Sequence, residues 1–368
     1  MSYRVAAFTD TYLPTVNGVS YTIASWRERW ERSGGQMDVV YPGADGHSPA
    51  DGEHPVGSLP FPFYDGFRLG TPRVPEAVRD AEVVHAHTPF SLGLGGLRLA
   101  RARDLPLVAS YHTPTSEYAA YVSPTDAIAS LVGRASETYE RWFFRRADAV
   151  LAPSAATRDH LQNEVGVDTT VEVVPNGVDV ERFRPVEPDD FLDRYDLRGD
   201  RPLIGYTGRH GYEKRLSELV EAAALLDVTV VFGGDGPARA ELERRADDLG
   251  ADARFLGFLD REEMAAFYSA LDAFAFPSPV ETQGLVALEA NACGTPVVGA
   301  NAGALANTID DGETGYNYES GNVEDFRDAI ERTLAEREEL RETCLVRRES
   351  MSVEHAVEKL QDVYDSIR

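Results

Sequence analysis

Short apolar runs alternate with amphipathic stretches along the whole chain, and this rhythm narrows the fold more than any other feature. In the first half the runs are YRVAAF (3–8), MDVVY (37–41), AEVVHAH (81–87), PLVASY (106–111) and DAVLAP (148–153), with helical patterns between them such as 19–33 and 125–146. The second half repeats the pattern with PLIGYTG (202–208), VTVVFGG (228–234), ARFLGF (253–258), LDAFAFPS (271–278) and TPVVGA (295–300). Runs this short and apolar read as strands buried on both faces, and the helices between them supply the crossovers that parallel strands require. Two α/β domains follow, each a doubly wound parallel sheet. The turn-rich VVPNGVDVERFRP (173–185) and the acidic stretch behind it read as their linker. Ligands of such sheets bind beyond the carboxyl ends of the strands, so the chemistry is expected between the two domains.

Charge restricts the partners. Lys and Arg total 36 against 62 Asp and Glu, a formal net charge of -26, and lysine occurs only at 214 and 359. This is the surface of a protein kept soluble in concentrated salt, and a halophile source is expected. A nucleic-acid partner is not, because phosphates need a basic face that this composition withholds. No run approaches the 18 apolar residues of a membrane span. The start MSYRVAAFTD is strand-like and unlike a secretion signal, so a cytoplasmic location, at most at the inner face of the membrane, is expected. Two cysteines, Cys293 and Cys344, point neither to a disulfide framework nor to a metal cluster.

Against that background the lysine in GRHGYEKRL (208–216) stands out. LIGYTG reads as a buried strand, RHGYE as a loop and KRLSELVEAAALL as a helix, which places Arg209 and Lys214 on a strand-to-helix loop. Two cations there suit a diphosphate, Arg gripping oxygens bidentately and Lys acting as a compact charge. A helix start disfavours a cation, so a merely structural lysine is the poorer reading. A second cluster lies in SPVETQGLVALEANACGTPVVGA (278–300): Glu281 sits past a strand, and a glycine-led helix start offers free N–H groups to a phosphate. Glu289, eight residues on, lies in an apolar helix where an unpaired carboxylate is costly; ribose hydroxyls or a buried salt bridge would satisfy it. HAH (85–87) puts two imidazoles on one strand face, yet with no cysteine or third ligand nearby no metal is expected.

Glu281, seven residues, Glu289 and then ACGTPVV together resemble the signature of retaining GT-B glycosyltransferases of family 4. GRHGYEK is similar to that family's Arg-and-Lys diphosphate loop, FGGDGP (232–237) to its Gly-x-Gly-Pro turn and VPNGVD to its interdomain segment. The motifs stand in the family's order along nearly the whole chain. The resemblance implies the GT-B fold, two Rossmann-like domains at 1–175 plus 352–368 and at 176–351, with the last helix returning to the first. It implies a hexosyltransferase using a nucleotide-sugar, with UDP favoured over GDP, and no cofactor. Arg209 and Lys214 would neutralise the donor diphosphate, Glu289 would hold the ribose and Glu281 the sugar hydroxyls. The backbone of Gln283, Gly284 and Leu285 would contact the donor, and FLGF, ending at Phe258, would lie near the base. Gly18 in TDTYLPTVNGVS would let backbone approach the diphosphate, and His112 in SYHTPTSEY would meet the donor sugar. No Asp-x-Asp triplet occurs, which fits metal-independent transfer. Asn17–Gly18 in place of two glycines resembles a lipid- or polyol-directed subset. FPFYDGFRLGTPR (61–73) and YERWFFRRADAV (139–150) mix aromatics with arginines, as a peripheral membrane face would. A membrane lipid is the favoured acceptor, ahead of a soluble or polyprenyl-linked one. A nucleotide-sugar epimerase and a non-catalytic sugar-binding protein are the rival readings.

Overall fold

The computed structural model describes residues 3–15, 17–61, 68–112 and 126–368, the side chains of 126–134 excepted. Most of FPFYDGF and all of TPTSEY therefore lie outside the described residues. The chain divides into one unit of Met1–Asn176 with Val353–Arg368 and a second of Gly177–Ser352.

The first unit contains β1 (Arg4–Phe8), β2 (Gln36–Pro42), β3 (Glu53–Val56), the hairpin strands β4 (Ser58–Pro60) and β5 (Arg68–Gly70), β6 (Val83–Ala86), β7 (Leu107–Ser110), β8 (Ala149–Ala152) and β9 (Val171–Val173). Its main sheet runs β3-β2-β1-β6-β7-β8-β9, every described pairing parallel. The alternation of side chains along β1 explains why both faces are apolar. Val5 and Ala7 join Trp26 and Trp30 of the Gly18–Arg32 helix and Leu360 and Tyr364 of the Val353–Ser366 helix. Ala6 and Phe8 join Leu92 and Leu97 of the Ser91–Arg103 helix on the other side. A fully buried Val, Leu or Phe among them stabilises by about 1.5–3 kcal/mol. That is why the C-terminal helix, apolar at 353, 356, 357, 360, 363 and 364, belongs to a unit begun 350 residues earlier.

The second unit contains β10 (Leu203–Thr207), β11 (Thr229–Gly233), β12 (Ala253–Gly257), β13 (Ala273–Phe276), β14 (Val297–Ala300) and β15 (Gly315–Tyr318). They form a parallel sheet in the order β12-β11-β10-β13-β14-β15. Chain order reverses between β10 and β13, and this is the switch point where open α/β sheets take their ligands. The two strands pair only at Ile204–Ala273 and Gly205–Phe274, so they part before their carboxyl ends.

Sequence periodicity missed β3, β9, β15 and the β4–β5 hairpin, all three or four residues long and too short to carry a pattern. The expected helix beginning at Lys214 needs correction. Tyr212–Lys214 is a 3-10 turn, Arg215 is left-handed (φ 50°), and the α-helix is Leu216–Ala223. Lys214 therefore sits before the helix and not in its first turn. Among the aromatics of YERWFFRRADAV, Phe143 and Phe144 are core, whereas Trp142 is exposed with the Arg146 guanidinium 4.0 Å above its ring.

Candidate active site

The loop after β10 and the loop after β11 are bound together backbone to backbone. The His210 N–H donates to the Asp235 carbonyl at 2.9 Å, and the Ala238 N–H to the His210 carbonyl at 2.9 Å. A Cβ on Gly234 (φ 101°) would stand 2.1 Å from the Gly208 carbonyl oxygen, so GGDGP needs glycine for this close approach. Fixing the backbone on both sides of Arg209 fixes where its side chain starts. His210 is buried between these loops, its Nε2 3.2 Å from the Gly233 carbonyl.

The loop after β13 is braced from behind. The Ala304 N–H donates to the Glu281 carbonyl at 3.1 Å, and Thr308 Oγ1 donates to the Gln283 carbonyl at 2.6 Å. Gly284 is left-handed (φ 79°), and a Cβ there would meet Leu305 at 2.6 Å. It leads the Leu285–Ala292 helix, where the N–H groups of Leu285 and Val286 precede the first helical acceptor bond, that of the Ala287 N–H to the Gly284 carbonyl at 2.9 Å. The dipole of those groups favours an anion in front of them.

These two loops meet at one point. Lys214 Nζ donates to Glu281 Oε1 at 2.6 Å, with side chains only 20% and 15% exposed. The residues expected at the diphosphate and at the sugar hydroxyls are thus direct neighbours, 67 positions apart in sequence. Arg209, partly exposed, pairs with Glu213 four residues on. Sequence reasoning missed Glu213, because an i,i+4 carboxylate on a loop carries no distinctive signal.

Glu289 is neither free nor in a direct salt bridge among the described residues. Its Oε2 accepts from the Tyr268 hydroxyl at 2.8 Å. Burial pushes its carboxyl up to about 7, against the opposing pull of Arg261, the Tyr268 hydrogen bond and Arg182. The signal for such a partner was the apolar helix itself; which residue would supply it was not legible. Phe258, just past β12, is 73% exposed, while Phe255 stacks on Phe232 at 4.8 Å between centroids.

The first unit places its candidates on the loops after β1, β6 and β7. Asn17 caps the Gly18–Arg32 helix by accepting from the Ser20 N–H at 2.9 Å, and Gly18 is the first helical residue. Asp10, missed by sequence reasoning, is buried and accepts from Thr88 Oγ1 (2.6 Å), Ser91 Oγ (2.7 Å) and the Leu92 N–H (3.1 Å). It ties the loop after β1 to the start of the Ser91–Arg103 helix. His112 Nε2 lies 3.1 Å from His87 Nδ1, the two rings nearly parallel at 14°. His87 in turn stacks on His85 at 4.0 Å, and His85 is held by the Tyr364 hydroxyl (2.7 Å) and Ser110 Oγ (2.8 Å). Burial holds all three imidazoles well below the usual histidine range, His85 at about 3 and His112 at about 4. No group of three or more His, Cys, Asp or Glu among the described residues is arranged to hold a metal. No helix is long and apolar enough to cross a membrane among the described residues.

Both units are similar to known proteins. Residues 16–182 match the model described as Glycosyltransferase Family 4, and residues 189–345 that described as Glycosyl transferases group 1. A GDP-mannose-dependent alpha-mannosyltransferase of Mycobacterium tuberculosis is 34% identical over 91% of this chain and 89% of its own length. An alpha-monoglucosyldiacylglycerol synthase of Streptococcus pneumoniae is 30% identical over 86% of this chain and 75% of its own. The crystal structure of Anabaena Alr3699/HepE in complex with UDP and glucose shares the fold with a TM-score of 0.78, 18% identity, and coverage of 99% of this chain and 100% of that one.

Proposed function

The chain belongs to the glycosyltransferases of family 4 with a group 1 second domain, a GT-B hexosyltransferase, and from that premise we propose that it transfers a hexose from a nucleotide-sugar to a membrane lipid or glycolipid, with retention and without a metal. The observation that carries the proposal is the meeting of Lys214 and Glu281 at the switch point of the second sheet. A departing nucleoside diphosphate needs positive charge at the moment the glycosidic bond breaks, and preorganised charge is the most effective way to supply it. Lys214 and Arg209 serve this role, and the N–H groups of Gln283, Gly284 and Leu285 add to it. Glu281 accepts from sugar hydroxyls and, through its contact with Lys214, sets the sugar against the diphosphate. Glu289 accepts from the ribose, and Phe258 faces the base. His112 meets the donor sugar, and Gly18 lets backbone approach the diphosphate.

In a retaining front-face reaction the bond from the anomeric carbon to the leaving phosphate breaks as the acceptor oxygen bonds to the same face. The acceptor proton passes to the departing phosphate oxygen, so no protein base is required. The cations of this site stabilise the charge that develops on the diphosphate, the task a metal performs elsewhere.

The lipid acceptor is supported by the glucosyldiacylglycerol synthase relative and by exposed Trp142 with Arg146 and exposed Leu59 on the β4–β5 hairpin. For the donor, the sequence reading favours UDP, whereas the M. tuberculosis relative is named for GDP-mannose. The test is nucleotide release in molar KCl from UDP-, GDP- and ADP-hexoses, with and without total lipid of a halophile and with and without EDTA. Lipid-stimulated, EDTA-insensitive release from one donor is expected. Release indifferent to lipid would replace the lipid by a soluble acceptor, and loss in EDTA would refute metal independence.

A further inference from the structure

His87 lies in neither of the roles above, yet it is a buried titratable side chain of the first unit. It follows β6 directly, is 1% exposed, and sits between the rings of His85 and His112 with Trp26 centroids 5.9 Å away. Its Nδ1 faces His112 Nε2 at 3.1 Å, while its Nε2 has no hydrogen-bond partner among the described residues. His85 below it cannot turn, because Tyr364 and Ser110 take both of its nitrogens. His112 is also hydrogen-bonded by the Asn176 side chain, and the Asn176 carbonyl is itself anchored by the Trp26 indole N–H at 2.7 Å.

We propose that His87 is a positioning residue for the transfer reaction: it donates its Nδ1–H to His112 Nε2 and so fixes both the ring plane and the tautomer of His112. Between two neutral imidazoles 3.1 Å apart only one proton fits, so the direction of the bond decides which nitrogen of each ring carries hydrogen. Donation from His87 leaves its own buried Nε2 as a bare lone pair, consistent with the absence of a partner there. It places the His112 proton on Nδ1, as the group that a donor-sugar hydroxyl accepts from. This inference rests on the proposed contact of His112 with the donor sugar.

The chemistry distinguishes variants that look alike. Asn carries its amide nitrogen where His carries Nδ1, whereas Gln reaches the position of Nε2. His87→Asn is therefore expected to keep kcat/KM within about threefold, and His87→Gln and His87→Leu to lose about tenfold to hundredfold, the scale of a small misplacement of a reacting partner. The readout on the unmodified protein is the ¹⁵N spectrum of selectively labelled histidines, with His112 assigned through His112→Asn. An Nδ1–H tautomer of His112 is expected, and an Nε2–H tautomer would overturn the proposal, as would equal activity of all three His87 variants beside an impaired His112→Ala. If His112→Ala itself kept full activity, the contact of His112 with the sugar would be the part that fails, whatever the tautomer.

Discussion

Replacing Lys214 by alanine separates what the lysine does for the fold from what it does for the reaction. Lys214 Nζ and Glu281 Oε1 are 2.6 Å apart, and both side chains are more than three-quarters buried. In molar KCl the screening length falls to about 3 Å, still longer than this contact, so the pair persists where an exposed pair fades. Lys214→Ala leaves the Glu281 carboxylate without its cation. Breaking a fully buried pair costs about 3–5 kcal/mol and an exposed one under about 1 kcal/mol, so about 1–3 kcal/mol is expected here. Loss of one preorganised charge from a leaving-group site lowers kcat by about a hundredfold to a thousandfold, or about 2.7–4 kcal/mol of barrier. The assay is nucleotide release at saturating donor, with thermal unfolding measured on the same protein. Adding Glu281→Gln to Lys214→Ala is expected to restore stability, because the bare charge is gone, and to leave kcat low. If Lys214→Ala raised KM but held kcat within threefold, the lysine would bind ground state and transition state alike, and the leaving-group argument would be wrong.

Glu289 predicts a pH dependence of stability. Its folded pKa, about 7, is raised above the ordinary 4.5, so its contribution is fully present below 4.5 and is lost as pH rises through 7. Glu289→Gln keeps an acceptor for Tyr268 and is expected to flatten the unfolding temperature between pH 5 and 8, while raising the donor KM about tenfold through a poorer hydrogen bond to ribose; an unchanged pH profile would contradict the burial of that carboxylate. Glu213→Gln removes one carboxylate competing with the donor for Arg209. It is expected to change stability by less than about 0.5 kcal/mol, as partly exposed pairs do, and to lower the donor KM, read by initial rates over a donor titration. Gly234→Ala sets a Cβ against the Gly208 carbonyl and is expected to destabilise by at least about 2 kcal/mol; unfolding unchanged from the parent would show that the two loops can separate without cost.

Which properties were legible in the sequence follows from the range of the interactions behind them. Strand and helix periodicity is local, so the alternation of short apolar runs and amphipathic stretches sufficed for two parallel α/β units. The turn-rich segment from 173 marked where they divide. The candidate site residues were also legible, since one of only two lysines in a chain of 34 arginines and a carboxylate in an apolar helix are both locally anomalous. Tertiary structure alone decided what those residues touch. Lys214 reaches Glu281 only because β13 lies beside β10, an order that periodicity does not encode. Tyr268 completes Glu289 across 21 positions, and Tyr364 reaches His85 across 279, because apolar faces of helices far apart in sequence are buried against the same sheet. Local sequence determines which groups are present and which face they share; burial of both faces of a sheet determines which of them meet.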